Sequence, residues 1–436
     1  VNKSRRLLTA GAALTMVLCS MVGSGSALAS RTSALSGTIR FYTWDNKTMF
    51  PFLDTIFGNL HKSYPGITVK VEPSASITQL KMITQIATGT AADVIQVGDI
   101  DLPWFVSKTA FAPLDPYMQS DKITKDLWVP AAFNLGVVNG HTYALTKDFA
   151  TLAVFYNKDL FDKAHLPYPK AGWTWDDMVK DAQALTVSKN GRRVQWGISL
   201  PGAWARGVEP IVRDFGGNLV SPDGKKIQGY MNSPQTIAAT QFYMDIVNKH
   251  HAGLSLAEAA TLSNLDVFAS GKVGMNWTGP WSITTWQQSK NFHFGVAPMP
   301  SYNGKNYSNI CWAGFSMNAK TKNPAAAWQV IKALSGPDGS SVFAKWGLPA
   351  VKSVAARMQA IDPLSYPYRL VFLNQNSKVP AIPGDMRNPD GHASVETPYE
   401  DAIKHLAAHP EVSVKSALDA AAAKGQKELD SYMSNQ

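Results

Sequence analysis

Apolar residues recur along this chain at two spacings, and the alternation between them lays out a fold. Gly37 to Trp44 carries the run Thr38-Ile39-Arg40-Phe41-Tyr42, which reads as a buried first strand. Phe50 to Tyr64 places Phe52, Ile56, Phe57 and Leu60 at helical spacing and stops at Pro65-Gly66. Ile67 to Val71 predicts a second strand, Ile77 to Thr88 a helix stopped by Gly89, and Val94 to Val97 a third strand. Strand, helix, strand, helix, strand predicts an α/β fold whose parallel sheet has helices on both faces.

The pattern changes near Tyr143. Tyr143 to Thr146 and Ala153 to Tyr156 predict two strands with Lys147-Asp148 between them, as where a chain crosses from one lobe to another. A helix from Asp176 to Leu185, a strand from Gln195 to Ser199, and helices from Pro234 to His250 and Thr261 to Ser270 follow. Phe294 to Ala297, ahead of Pro298 and Pro300, is a second crossing candidate. Gly314 to Met317 predicts a strand, Pro324 to Leu334 a helix, and the alanine-rich tail from Ala402 to Met433 is helical.

One stretch, Gly271 to Trp281, concentrates glycine, proline and tryptophan. It reads as a strand, a Gly279-Pro280 turn and a helix start near Ser282. That geometry sets Trp281 at the mouth of a strand-to-helix junction, where α/β folds place ligands. The other reading buries Trp281 under the next helix. Trp277 alternates with Met275 on the strand and reads as core.

The chain has 436 residues, 45% hydrophobic and 17% charged, enough for two cored domains. Lys3, Arg5 and Arg6, the apolar run Leu7 to Val22, and Ala27-Leu28-Ala29 predict a signal peptide cleaved after Ala29 and an exported protein. Cys19 offers a lipid anchor instead, but Leu18 stands where that signal wants a small residue. No later stretch is apolar for long enough to span a bilayer. Cleavage leaves Cys311 alone, with no intrachain disulfide, reading as a buried small hydrophobe between Ile310 and Trp312. The formal net charge is +9, and loss of the three signal cations leaves +6. The cations are scattered, which argues against nucleic acid. No residue spacing suggests a metal or a cofactor.

Enzyme signatures are missing from the sequence: no G-x-S-x-G elbow, Walker loop, H-E-x-x-H or Cys-His arrangement. Asp99 and Asp101 at a strand end face opposite ways, poor geometry for a glycosidase pair. Sugar binding needs other groups. A pyranose packs its C–H face on an aromatic ring and pairs its hydroxyls with carboxylates, amides and guanidinium. The chain has 13 tryptophans. Trp44-Asp45 and Asp99 each follow a predicted strand. Trp204-Ala205-Arg206 sits in a Pro-Gly loop, Trp312-Ala313-Gly314 precedes a strand, and Trp346 lies in another loop. Structural alternatives stand beside these. Asp45 could cap the helix after it and Asp99 the next turn. Trp173 and Trp175 read as packing around a cap at Thr174 with Asp177 at N3. His141, His165 and His293 are isolated.

Several of these stretches together resemble family 1 extracellular solute-binding proteins of ABC importers, the group that contains the maltodextrin binders. Ala87 to Ile95 looks like the family's "gtaPDVi" segment, with Ala92 in place of proline. Asn139 to Leu145 looks like "nGkxYalP", and Phe155 to Phe161 is close to "YNKDLF". Gly271 to Trp281 matches "GkxaMxxxGPW", and Trp312-Ala313-Gly314 and Gly347-Leu348-Pro349 match looser patterns. The resemblance implies the two-lobe type II periplasmic-binding-protein fold, each lobe a mixed sheet flanked by helices, joined by a multi-segment hinge of about three strand-like crossovers. It implies a signal at 1–29, one lobe from 30–148 plus about 299–360, and the other from about 149–298 plus 361–436. It sets Tyr156 and Trp281 at sugar-touching positions and Asp148 where an acid enters the cleft. Trp44, Asp45, Asp99 and Trp312 carry over more loosely. Near the C-terminus, where maltodextrin binders place another stacking tryptophan, Asp385 to Val395 offers no aromatic ring, though Arg387 could reach the cleft; this departure weighs against long maltodextrins. The implied function is capture of a mono- or oligosaccharide by hinge closure and delivery to membrane permease subunits, by a monomer that does no chemistry. The alternatives are a secreted glycoside hydrolase and a binder of a polyamine or glycerol-phosphate.

Overall fold

The computed structural model describes residues 35–45, 49–73, 79–262, 266–375 and 388–435. The signal segment, Cys19 and Arg387 lie outside them. In chain order the strands are β1 Gly37–Thr43, β2 Ile67–Pro73, β3 Val94–Gly98, β4 Phe111–Ala112, β5 Val137–Val138, β6 His141–Thr142, β7 Ala144–Ala150 and β8 Ala153–Asn157. They continue with β9 Val187–Lys189, β10 Arg192–Ser199, β11 Val273–Thr278, β12 Phe294–Ala297, β13 Cys311–Asn318 and β14 Leu348–Pro349.

Two larger sheets organise the chain. The first runs β14-β7-β13-β3-β1-β2, with β4 beside β13. Its opening strands pair in parallel, β1 with β2 and with β3. β13 then enters antiparallel to both β3 and β7, so the sheet is mixed. The second sheet runs β12-β8-β11-β10-β9. β10 and β11 are parallel, whereas β8 is antiparallel to β11 and β12.

Period-two alternation gives each strand its core face. Ile39 and Phe41 of β1, Ile95 and Val97 of β3, and Phe315 and Met317 of β13 are buried around the first sheet. On β8, Val154 and Tyr156 face one core with Met275 and Trp277 of β11, and the register pairs Tyr156 with Met275 and Val154 with Trp277. Phe155 points to the other face, among Phe268, Trp286 and Phe294. Helices begin where side-chain oxygens take up free backbone N–H groups. Thr174 and Asp177 form a capping box on Trp175–Leu185, and Ser233 caps Pro234–Asn248.

The chain passes between sheets three times. β7 of the first sheet runs within three residues into β8 of the second, β12 returns to β13, and after β14 the chain reaches the helix Tyr366–Gln375, packed against β8 and β12. Two expectations change. Lys147 and Asp148 lie inside β7 and not in the connection, because β7 continues to Ala150 through pairing with β13 and β14. The helix expected from Thr261 to Ser270 is instead Leu256–Thr261, started by a Ser255–Glu258 capping box. The tail forms two helices, Thr397–Ala408 and Val414–Ser434, on either side of Pro410. No helix among the described residues is long and apolar enough to cross a membrane.

Candidate binding cleft

A cleft of about 420 Å³ opens between the two sheets. The first-lobe wall comes from Trp44, Asp45 and Met49 after β1, from Lys147, Asp148 and Ala150 of β7, from Cys311 to Ala313 of β13, and from Trp346-Gly347. Trp281, Ser282 and Thr285 supply the second-lobe wall.

Each indole is held by its surroundings. β11 ends at Thr278, Gly279 follows, and Pro280–Ser282 turns the chain into the helix Ile283–Gln287. A Cβ on Gly279 would lie 2.0 Å from the Trp281 ring, so the indole folds back over that backbone. Trp281 remains 40% exposed and meets the edge of Trp204 at 6.3 Å between ring centroids. The reading that buries Trp281 under the next helix does not hold. Trp277 is the buried ring, 1% exposed and 4.9 Å from Trp175. Across the cleft, Trp44 is 38% exposed. Trp312 is buried, its Nε1–H donating to Thr146 Oγ1 at 3.1 Å. Trp346 packs edge-on to Phe52 at 4.4 Å.

A charged floor lies among these rings. Lys147 Nζ is 2.8 Å from Asp45 Oδ1 and 3.7 Å from Asp148 Oδ2, and it sits 5.0 Å from the centre of the Phe343 ring. Burial alone would lower the lysine's pKa. Asp148 and Asp45 outweigh that and hold it above its ordinary value. Burial pushes the Asp148 carboxyl up to about 6, with the Lys147 ammonium pulling the other way and Asp45 adding to the rise. Asp45 Oδ2 is buried with no hydrogen-bond partner. Asp45 does not cap the helix Phe50–Ser63, which begins after Met49 without a side-chain cap. Cys311, read from the sequence as a buried small hydrophobe, is half-buried in the cleft wall, and desolvation raises its thiol pKa. Among the described residues no group of three or more histidine, cysteine or acidic side chains could hold a metal ion. The cleft offers indole faces, two carboxylates and one ammonium, a set suited to flat apolar faces ringed by hydroxyls.

Residues 46–340 match the model of the bacterial extracellular solute-binding proteins. The chain belongs to that family. A protein of Brucella abortus, named only as a binding protein, is 28% identical over 376 residues, covering 82% of this chain and 87% of that one. The galactooligosaccharide-binding protein of Bacillus subtilis is 23% identical over 431 residues and covers 96% of both. An ABC substrate-binding protein of Listeria monocytogenes, solved with cycloalternan, superposes with a TM-score of 0.80 at 22% identity, covering 91% of this chain and 99% of that one.

Within this family member, Trp44, Asp45, Asp148, Trp281, Trp312 and Trp346 come together in the cleft, and Asp99, Tyr156, Trp204, Arg206 and Gly314 do not line it. Tyr156 is 8% exposed and packs on Phe161 and Tyr168, because strand alternation turns it to the opposite face from Phe155. Trp204 braces Trp281 from beside the cleft. Gly314 serves Trp312, whose ring lies 2.3 Å from where a Cβ would be. Arg206 is buried in an ion pair with Glu209 at 3.0 Å and donates to the Ile310 carbonyl at 3.2 Å. Asp99 accepts from the Ile100 and Trp312 backbone N–H groups. Arg387 lies outside the described residues.

Sequence reasoning passed over Lys147 and Arg369. A lysine inside an otherwise buried strand was the available signal for the first. Arg369 is fully buried, with burial lowering it to about 10. It donates to the Lys345 and Gly347 carbonyls, fixing the loop that carries Trp346. The apolar setting Tyr366 to Leu373 gives no sign of that role.

Proposed function

We propose that this protein is the carbohydrate-capturing component of an ABC import system. The observation that carries the reading is the convergence of four tryptophans on one interlobe cleft, two of them close to 40% exposed, over the Asp45–Lys147–Asp148 floor. The names of its relatives support it: the Bacillus subtilis protein is named for galactooligosaccharides, and the Listeria structure holds cycloalternan. A sugar docks its C–H face on Trp44 and the first-lobe wall. The second lobe then swings in, bringing Trp281 onto the exposed face and expelling water. Asp45 and Asp148 accept from hydroxyls and Lys147 donates to them. The closed form presents the sugar to membrane permease subunits. Two carboxylates against one ammonium disfavour a phosphate ligand. The protein works as an exported monomer, performs no chemistry, and divides near 148, 298 and 360 into its two lobes.

A thermal-shift screen across neutral mono- and oligosaccharides, polyamines and phosphate esters tests the reading, because a ligand that binds only the folded state raises the melting temperature. At least one neutral carbohydrate is expected to do so, with calorimetry confirming one site per chain. A rise with polyamine or phosphate ester alone overturns the substrate class.

A further inference from the structure

Asp99 and Arg206 were expected in the ligand site, and the structure brings them to each other instead. Asp99 follows β3 in the first lobe, and Arg206 lies in the first turn of the helix Ala205–Asp214 in the second. Arg206 Nη2 stands 3.9 Å from Asp99 Oδ2, too long for a hydrogen bond and short enough for strong attraction in a buried setting. Both residues are anchored at the crossing between lobes. Arg206 holds Glu209 at 3.0 Å and the Ile310 carbonyl at 3.2 Å, and its Nε is 3.7 Å from Glu396. Asn309 clamps the same place by donating to Glu209 Oε2 and to the Arg206 carbonyl.

The pair borders the cleft without lining it. Asp99 accepts the backbone N–H of Trp312, and Gly98 pairs with Ala313, both of them wall residues. Arg206 follows by two residues Trp204, which braces Trp281. We propose that Asp99 and Arg206 form an interlobe tie, loose in this structure, that tightens as the lobes close and favours the closed state without touching ligand. They are positioning residues. The proposal rests on the hinge-closure reading, but its direct readout needs no ligand.

Asp99→Asn tests it with little risk to folding. The asparagine oxygen still accepts from Trp312, and Arg206 keeps Glu209 and Glu396. Fluorophores on an exposed residue of each lobe report interlobe distance by single-molecule energy transfer. Unliganded D99N is expected to lose closed-state population, and affinity for whichever sugar the thermal screen identifies is expected to fall about tenfold through faster dissociation. Asp99→Ala removes both the charge and the Trp312 contact. If D99N keeps the wild-type distance distribution and only D99A shifts it, Asp99 merely anchors Trp312 and the tie is wrong. If no sugar binds, the carbohydrate reading fails, while the unliganded distance distributions still decide the tie.

Discussion

Trp281→Ala separates a binding platform from a core residue by where its cost falls. The ring is 40% exposed in the unliganded protein. An aromatic side chain has up to about 250 Å² to bury, so about 100 Å² of Trp281 remains for a ligand to cover. At about 25 cal/mol per Å², full coverage contributes about 2.5 kcal/mol and half coverage about 1.2 kcal/mol. Truncation should then weaken affinity by roughly eight- to seventyfold. The stability cost without ligand should be smaller than for a core indole, because water fills the space left by a rim side chain and no cavity remains. Trp277→Ala is the control. That ring is 1% exposed against Trp175 and Tyr243, and its loss should cost about 3–5 kcal/mol of unliganded stability. Calorimetry with the identified sugar and urea unfolding without it measure the two quantities. The reasoning is refuted if W281A binds within twofold of wild type, or if its unliganded stability falls as far as that of W277A.

Three further outcomes follow from the same geometry. Gly279→Ala should reproduce most of the W281A affinity loss with the indole still present, because the new Cβ would lie 2.0 Å from the ring and push it aside; calorimetry on the variant checks this. Asp148 has its folded-state carboxyl raised to about 6, against an ordinary value near 4, so the folded state holds the proton more tightly than the unfolded chain. Its contribution favours folding at low pH, falls by about 3 kcal/mol as pH rises from about 4 to about 6, and is flat above that. Denaturation of wild type and Asp148→Asn at pH 4 and pH 7 should show that difference between the two proteins; equal pH dependence would refute it. Lys147→Met leaves two buried carboxylates facing each other and should cost about 3–5 kcal/mol, partly recovered by adding Asp148→Asn. Urea midpoints of the single and double variants decide, and no recovery would mean the floor is not coupled as its distances imply.

The fold was legible because its signals are local. Ile39 and Phe41, or Ile95 and Val97, show their strand by alternation alone, and the Thr174–Asp177 box shows a helix start in four residues. What local pattern cannot supply is pairing. β7 runs through Lys147 and Asp148 because β13 and β14, more than 160 residues later, take up its backbone hydrogen bonds. A lysine there looks like a loop residue until Asp45, 102 positions away, is found to neutralise it at 2.8 Å. Asp99 and Arg206 do not line the cleft for the same reason. Each has the chemistry a sugar needs, and each is already engaged at the crossing.

The tryptophans of the cleft were easier to find because their signal is short-range after all. In Gly279-Pro280-Trp281 and in Trp312-Ala313-Gly314 a glycine stands two residues from the indole. On β13, residues two apart share a face, so the Trp312 ring can lie along the strand only where its neighbour lacks a Cβ. At the end of β11 the turn bends the Trp281 ring back over Gly279. In both places the glycine lets a large ring lie over backbone; Trp281 stays 40% exposed there, whereas Trp312 is buried. Trp277 also has Gly279 two residues away, but the ring lying over that glycine is Trp281, and Trp277 stands buried against Trp175 and Tyr243. A glycine two residues away is therefore not enough to mark a presented indole; for Trp281 it is the Gly279-Pro280 turn after β11 that sets the ring in the cleft wall.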